Sequence, residues 1–284
     1  MSGVSRFLRN ASIILTVLLL MYGKTPCAAE EVQSPPVDGG WWARDGKKIG
    51  CDAGYLYDTA ASAGWREAAL LGGFIGATAL IAGFLDEPVR RNVRGGGSRR
   101  GDALALAGRT YGGESAAIAA PVALYGVGFV SGSEGVRDTG RVMAEALILA
   151  ELTTGIFKGA LGRSRPYTGN GADDFRFFRW KDRYMSMPSG HTTVAFTISS
   201  VLASRINRWW ASAILYSMAG LTAWSRVYDD RHWASDVFFG GAIGAASGIL
   251  LSRAQRRCGD GAHIAFSPRL LVSGAGVAVV MNFD

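Results

Sequence analysis

The stretch MPSGHTT, residues 187–193, stands directly before the apolar run VAFTISSVLAS, residues 194–204. Proline fixes the entering chain, serine is a favoured helix N-cap, and glycine lets a ligand approach the backbone. His191, one of three histidines in the chain, then falls in the first turn of the predicted helix, where free N–H groups favour an anion. The stretch predicts a helix that begins at an anion site with a titratable group beside it. A capped helix with a surface histidine would share the same four residues.

Apolar runs of helical length recur on both sides of this stretch and predict an all-α protein. They lack the β-branched alternation of strands, and their glycine and alanine content suits helices that approach one another closely. The sequence therefore predicts one helical bundle of about six main helices within residues 65–257. The six runs are residues 67–85, 113–131, 141–157, 192–204, 209–224 and 234–251.

The two ends of the chain differ from this bundle. Residues 1–29 carry basic residues, then an apolar run, then small residues, which is typical of a secretory signal peptide; a retained membrane anchor is the alternative. Residues 30–64 show no sustained period and are interpreted as an irregular N-terminal arm. In the tail, residues 258–284, β-branched residues on either side of a Ser-Gly pair predict a short β-hairpin.

The net charge and the cysteine content indicate which partners and which cellular compartment to expect. Removal of residues 1–29, which hold three basic residues and no acidic one, changes the formal net charge from +7 to +4. Because the basic residues are scattered, apart from a cluster at residues 90–100, we expect no nucleic-acid partner. Export to the periplasm implies an oxidising compartment, in which Cys51 and Cys258 either form a disulfide or remain two buried thiols.

The hydropathy of the six runs leaves two relations to a membrane open. Several runs approach the roughly 20 residues that a span needs, but Arg205 interrupts one of them, and small polar residues dilute the others. We therefore favour an exported soluble bundle. Association with the inner membrane, or integration into it, is the alternative.

A second polar cluster, SRVYDDRHWASD at residues 225–236, contains a histidine and an acid with helical spacing. On a helix, His232 and Asp236 would share one face, so the carboxylate could accept a hydrogen bond from the imidazole. The other ring nitrogen would then be free to act as a nucleophile or base. Arg226, about two turns earlier, would bring a guanidinium to the same pocket. Alone, the pair is also compatible with a surface histidine beside an incidental acid.

A third cluster, KGALGRSRP at residues 158–166, adds Lys158 and Arg165. Three cations, two histidines, one acid and a helix start are what an enzyme needs to hold a tetrahedral oxyanion and transfer it covalently. Arg163 and Tyr167, which flank these positions, are interpreted as an exposed loop pair. The remaining histidine lies in the tail and no carboxylate cluster has metal-ligand spacing, so we expect no metal and no cofactor.

In combination, the three clusters resemble the signature of the type 2 phosphatidic acid phosphatase (PAP2) family, whose superfamily includes bacterial acid phosphatases and vanadium-dependent haloperoxidases. The resemblance covers residues 158–236 and implies the helical fold of that superfamily. It implies that His232 attacks phosphorus, that Asp236 orients His232, and that His191 protonates the leaving alkoxide and then activates water. It also implies a set of phosphoryl-binding residues: Lys158, Arg165, Ser189, Gly190 and Arg226.

The expected function is metal-independent hydrolysis of a phosphomonoester through a phosphohistidine intermediate. The expected partner is a phosphorylated lipid or a small phosphate ester, with a membrane surface as a further contact. Two alternatives use the same pocket differently. A vanadate-dependent haloperoxidase would ligate vanadium through His232, and a non-catalytic phospholipid-binding protein would keep the pocket without turnover.

Overall fold

The computed structural model describes residues 40–94 and 98–258, together with the backbone of residues 269–273 and 276–280. The predicted signal peptide, residues 1–29, lies outside the described residues, as does the first part of the predicted arm.

The described part of the chain folds into nine α-helices, which confirms the all-α class. They are α1 (Trp41–Ala61), α2 (Trp65–Phe84), α3 (Asp86–Val93), α4 (Arg99–Tyr111), α5 (Glu114–Ser131), α6 (Glu134–Leu161), α7 (Gly190–Ile206), α8 (Trp209–Tyr228) and α9 (Ala234–Cys258). Two 3-10 turns, Pro166–Thr168 and Asp182–Tyr184, lie between α6 and α7. The expected number of six was too low, because α1, α3 and α4 were not predicted; the other six helices correspond to the predicted runs.

Helix α1 corrects the expectation of an irregular arm over residues 30–64. Its inward face is largely polar, since Asp45, Asp52 and Thr59 are buried beside Tyr55. The carboxylate of Asp52 accepts a 2.6 Å hydrogen bond from Arg141 of α6. Charged residues and three glycines leave this helix without a long apolar run, which is the signal from which the other helices were predicted.

Helices α3 and α4 have 8 and 13 residues. Both are rich in charged residues and have no long apolar run, so hydropathy did not predict them. In the bundle, α3 contacts α8 and α9, and α4 packs along α8. A Cβ built on Gly108 of α4 would lie 2.6 Å from the carbonyl oxygen of Leu221, so α4 and α8 touch backbone to backbone.

Glycines also let α9 lie against the start of α7. A Cβ built on Gly240 would lie 2.4 Å from the carbonyl oxygen of Ser189, and one built on Gly244 would lie 2.2 Å from that of Thr193. Side-chain carbons do not approach an oxygen so closely, so glycine alone fits at both positions. This packing fixes the starts of the two helices that flank the predicted site. The adjoining apolar core contains Leu71, Ala150, Phe157, Met187, Phe239 and Ile243.

At the far end of α9, Cys258 forms a disulfide with Cys51 of α1. Of the two states that the sequence left open, the structure therefore contains the paired one. Two strands lie in the tail, β1 (Arg269–Ser273) and β2 (Gly276–Val280), and their backbones pair in antiparallel register. Residues 274–275, which join them, lie outside the described part of the chain, so the short hairpin stays a prediction.

Of the nine described helices, three are long and apolar enough to cross a membrane, namely α2, α5 and α9. Much of the apolar surface of α2 and α5 is exposed: Leu80 is 61% exposed, and Val122 and Val130 are 65% and 87% exposed. The small polar residues that dilute α7 are instead buried, namely Thr192, Thr193, Thr197, Ser199 and Ser200. An apolar outside around a partly polar inside favours membrane association over the soluble bundle expected from the interrupted runs.

Candidate active site

His232 lies in the short loop between α8 and α9, and its side chain is buried. Its Nδ1 is 2.7 Å from the backbone carbonyl oxygen of Ser186. A carbonyl oxygen can only accept a hydrogen bond, so Nδ1 carries the proton of the neutral ring and Nε2 keeps its lone pair. The backbone N–H of His232 donates to the carbonyl oxygen of Arg226 at 3.2 Å. The loop therefore holds an imidazole with one unprotonated nitrogen.

Asp236 holds this imidazole less directly than the sequence predicted. His232 precedes α9 rather than lying on it, and its Nδ1 is 3.7 Å from Oδ2 of Asp236, which is too far for a hydrogen bond. Oδ2 of Asp236 instead accepts hydrogen bonds from Ser186 Oγ at 2.5 Å and from the N–H of Trp233 at 2.9 Å. Asp236 thus fixes Ser186, and the carbonyl group of Ser186 fixes the ring of His232.

Arg163 is completely buried, so its interpretation as an exposed loop residue was wrong. Its Nη1 donates to Oδ1 of Asp236 at 2.6 Å, and its Nη2 donates to Oδ2 of Asp86 at 2.6 Å. Asp86, the first residue of α3, also accepts from the N–H of Ser235 at 2.8 Å. Sequence reasoning missed Asp86 and Ser186, because neither lies at a position with recognisable spacing.

A second residue of α3, Arg90, holds the loop that carries His232 from the other side. Its Nε donates to Oδ1 of Asp230 at 2.6 Å, and its Nη2 donates to the carbonyl oxygen of Pro166 at 2.8 Å. Its guanidinium carbon lies 5.2 Å from the ring centre of Trp233. Helix α3 therefore clamps the segment 229–236 onto the segment that contains Arg165.

The start of α7 brings His191 to the same place. Ser189 occupies the N-cap position, but its hydroxyl makes no capping hydrogen bond and instead accepts from Oγ1 of Thr192 at 3.0 Å. A Cβ built on Gly190 would lie 3.7 Å from Nζ of Lys158, so the cation and the helix start are neighbours. Free N–H groups and a nearby ammonium form a cradle for an anion.

Both site histidines are neutral at neutral pH. Burial, together with the neighbouring cations Lys158 and Arg165, lowers the pKa of His232 to about 3. Burial, together with Arg226, Lys158 and Arg165, lowers the pKa of His191 to about 4. Lys158 and Arg165 act on both histidines, and Arg226 acts on His191 as well, which indicates that the site gathers positive charge where an anionic ligand would offset it.

Each cation is positioned by a neighbouring group. Nζ of Lys158 donates to the carbonyl oxygen of Met185 at 3.3 Å, and burial and Arg165 lower its pKa to about 8. Nη2 of Arg165 donates to Oδ1 of Asp182 at 2.9 Å. Arg226 forms an ion pair with Asp229. A guanidinium has five N–H donors, so each arginine keeps donors for a phosphoryl group.

The structure thus gathers the predicted site residues from α6, α7, α8, α9 and the loops between these helices. Tyr167 is exposed, as expected, and its hydroxyl donates to Asp182 at 3.2 Å. Within residues 40–94 and 98–258, no group of three or more His, Cys, Asp or Glu side chains could hold a metal ion. The roles assigned to the individual site residues, and metal independence, remain predictions.

The comparisons with known proteins agree with this arrangement. Residues 140–260 match the family model described as the PAP2 superfamily. The matched segment contains all three motif clusters, so the resemblance seen in the sequence is confirmed over this part of the chain.

Two curated relatives and one solved structure are similar to the chain. A lipid A 1-phosphatase of Porphyromonas gingivalis is 42% identical over 67 residues, which is 23% of this chain and 15% of that protein. YbjG of Escherichia coli K12, whose name assigns it provisionally as an undecaprenyl-diphosphatase, is 34% identical over 94 residues, 32% of this chain and 46% of that protein. The chain therefore spans less than half the length of either relative. The crystal structure of Aquifex aeolicus LpxE superposes with a TM-score of 0.48 at 24% identity, covering 60% of this chain and 95% of that one.

Proposed function

We propose that this chain is a phosphatase that hydrolyses a phosphorylated lipid through a phosphohistidine formed on His232. The observation that carries the proposal is the hydrogen bond from Nδ1 of His232 to the carbonyl oxygen of Ser186. It leaves Nε2 of the buried His232 with a free lone pair beside the cations Lys158 and Arg165, which is what an uncharged nitrogen nucleophile needs in order to approach a phosphate dianion.

In the proposed first step, the phosphoryl oxygens occupy the cradle formed by Lys158, Arg165, Arg226 and the start of α7. Nε2 of His232 attacks phosphorus, a P–N bond forms, and the P–O bond to the alcohol breaks. His191 gives its proton to the leaving alkoxide. The cations offset the negative charge that the phosphoryl oxygens carry in the transition state.

In the proposed second step, the now neutral His191 takes a proton from a water molecule, which attacks phosphorus. The P–N bond breaks, and the bond electrons return to His232. The products are the free alcohol and inorganic phosphate. His191 must therefore be protonated when the substrate binds, and the charge of a bound phosphate dianion would raise the pKa of His191 from its low value in the free protein.

A lipid substrate is supported by two independent observations. The names of the two relatives concern phosphorylated lipids, and the exposed apolar surface of α2 and α5 would suit a membrane. We infer that the chain is exported and membrane-associated, with the catalytic domain extending over residues 65–257. The disulfide between Cys51 and Cys258 supports an oxidising compartment such as the periplasm.

The proposal is tested by phosphate release from the purified full-length chain in detergent and excess chelator. We expect faster release from phosphatidate in mixed micelles than from p-nitrophenyl phosphate. His232→Ala should lower the rate with either substrate more than about thousandfold, because the nucleophile is lost. Phosphate release by His232→Ala at a rate close to that of the wild type would contradict the mechanism.

A further inference from the structure

The segment between α6 and α7 contains a loop whose aromatic side chains the proposed chemistry does not use. This aromatic-basic loop, FRFFRWKDR at residues 175–183, holds four basic residues and one acidic residue. Three of its aromatic side chains face outward: Phe177, Phe178 and Trp180 are 48%, 62% and 67% exposed. Exposed rings interleaved with basic side chains suit a surface that is both apolar and anionic.

Backbone hydrogen bonds hold the root of this loop against the end of α6. The N–H of Arg176 donates to the carbonyl oxygen of Gly162 at 2.8 Å, and the N–H of Phe178 donates to that of Ala160 at 3.4 Å. A Cβ built on Gly162 would lie 1.9 Å from the carbonyl oxygen of Arg176. The loop therefore lies directly on the helix end, and its outward rings are held in place by ordered backbone.

Phe178 is presented at a conformational cost. Its φ is +61°, a left-handed conformation that a bulky side chain rarely adopts. A cost of this kind persists where the surroundings impose it, and it is concentrated at functional positions. The positive φ of Phe178 turns its phenyl ring outward, where the described part of the chain leaves most of the ring uncovered.

Trp180 marks the point where the apolar outer face of α6 ends. Ile148, Leu152 and Ile156 are spaced by four residues, and each is more than half exposed, so they form an apolar stripe along the helix. Gly159 follows one turn later, and a Cβ built on it would lie 2.3 Å from the indole of Trp180. The indole thus lies at the end of the apolar stripe, which is the position that tryptophan takes where a lipid-facing helix meets the bilayer–water interface.

A second exposed tryptophan lies at the opposite end of the bundle. Trp209, the first residue of α8, is 83% exposed. Helix α8 has 20 residues, so its ends are about 30 Å apart, which matches the hydrocarbon thickness of a bilayer. Helix α8 ends at Tyr228, close to the site, and Trp180 lies on the same side of the bundle as the site. Trp209 and Trp180 are therefore near opposite ends of a distance of this length.

We propose that the aromatic-basic loop is a membrane-interface anchor that docks on anionic lipid headgroups and holds the mouth of the site at the bilayer surface. Phe178 and Trp180 would enter the interface, and the exposed Arg179 and Lys181 would contact anionic headgroups. The loop reaches the site through Arg165, whose Nε donates to the carbonyl oxygen of Asp182 at 2.9 Å. The effect on lipid turnover rests on the proposed function; the docking itself does not.

The Phe178→Gly variant tests the anchor without weakening the fold, because glycine adopts a positive φ without strain. In vesicles of phosphatidylcholine and phosphatidylglycerol, this variant should raise KM for phosphatidate by about tenfold and leave turnover of p-nitrophenyl phosphate unchanged. The matched control Tyr57→Ser removes a ring of α1 that is 73% exposed and should change neither. An equal loss with both substrates, or no change with either, would overturn the proposal.

A second measurement does not depend on catalysis. A fluorophore on Phe178→Cys, in a Cys27→Ser background, should be quenched by lipids brominated in their acyl chains and protected from iodide in the water. The protection should be stronger with phosphatidylglycerol present, and Arg179→Glu with Lys181→Glu should remove that difference. A fluorophore open to iodide and untouched by brominated lipid would overturn the anchor. If the wild type releases no phosphate while the fluorophore lies in lipid, the proposed function fails and the anchor stands.

Discussion

Nη1 of Arg163 lies 2.6 Å from Oδ1 of Asp236, and both side chains are completely buried. The other terminal nitrogen of Arg163 pairs with Asp86 at the same distance, so one cation joins α3 to the first turn of α9. Asp86 precedes the segment that matches the PAP2 superfamily. Because Asp236 holds Ser186, and Ser186 holds the ring of His232, the position of the proposed nucleophile depends on a residue outside the matched segment.

Replacement of this residue should therefore affect both stability and rate. Asp86→Asn removes one of two carboxylates around a buried guanidinium, so the free energy of unfolding should fall by about 3 kcal/mol. In the fraction that stays folded, kcat should fall by about tenfold or more, because small displacements of a nucleophile are costly. KM should change little, since Asp86 does not contact the phosphate cradle. Thermal unfolding in detergent and phosphate release measure the two effects.

The neighbouring Glu87→Gln variant is the matched control for Asp86→Asn. Glu87 lies one residue further along α3 and is only half-buried, so its replacement should leave both quantities nearly unchanged. If folded Asp86→Asn protein turned over substrate at the wild-type rate, the buried chain from Asp86 to His232 would be structural only.

The pH dependence of kcat/KM should show the ionisation of His191 and the ionisation of His232 as two separate limbs. His191 acts as an acid only when protonated, and its pKa in the free protein is lowered to about 4. The value of kcat/KM for phosphatidate, which reports the free protein, should therefore rise as the pH falls from neutral towards about 4. His232, whose pKa is about 3, must be neutral to attack, so the value should fall again at still lower pH.

Bound substrate should shift this profile in a defined direction. A phosphate dianion stabilises protonated His191, so the basic limb of kcat should lie at a higher pH than the basic limb of kcat/KM. p-Nitrophenyl phosphate is the control, because its leaving group needs no proton and its first step should lack the basic limb. Coincident limbs for both parameters and both substrates would remove His191 from the role of general acid.

The close packing of α9 on α7 gives a prediction with a control of the same chemistry. Gly240→Ala would place a methyl group 2.4 Å from the carbonyl oxygen of Ser189, so it should destabilise the protein by about 1–3 kcal/mol and displace the anion cradle. Gly220→Ala, where nothing lies within 4 Å of the added carbon, should be neutral or stabilising. Equal melting temperatures for the two variants would show that the helices can separate at little cost.

The sequence predicted the helices that carry long apolar runs and the residues that carry chemical motifs. Both are local signals: α7 could be predicted from a proline, a serine and a glycine before an apolar run, and His191 from its place in the first turn. Helix α1 has no long apolar run, because its buried face is largely polar and includes Asp52, which pairs with Arg141 of a helix distant in sequence. A pairing of this kind cannot be seen until α6 is packed against α1.

The contacts that hold the site residues in place could not be predicted from the sequence, for the same reason. The i, i+4 spacing of His232 and Asp236 predicted a direct hydrogen bond between their side chains. However, α9 begins only after His232, and Nδ1 of His232 donates to the carbonyl oxygen of Ser186 instead. Arg163 was placed on the surface because charged residues are usually exposed, although two buried carboxylates stabilise it inside. Membrane association was underestimated because the serine and threonine residues that interrupt the apolar runs face inward.

The central claim is that His232 carries the phosphoryl group, and the most direct measurement is the chemical trapping of that intermediate. p-Nitrophenyl phosphate labelled with ³²P would be mixed with His191→Ala protein, in which the first step proceeds but the second lacks its base, and the reaction would be stopped with alkali, in which phosphohistidine is stable. We predict a labelled protein whose label maps to the peptide containing His232 and is absent from His232→Ala. A protein that releases phosphate without ever becoming labelled, or whose label maps to another residue, would contradict the account.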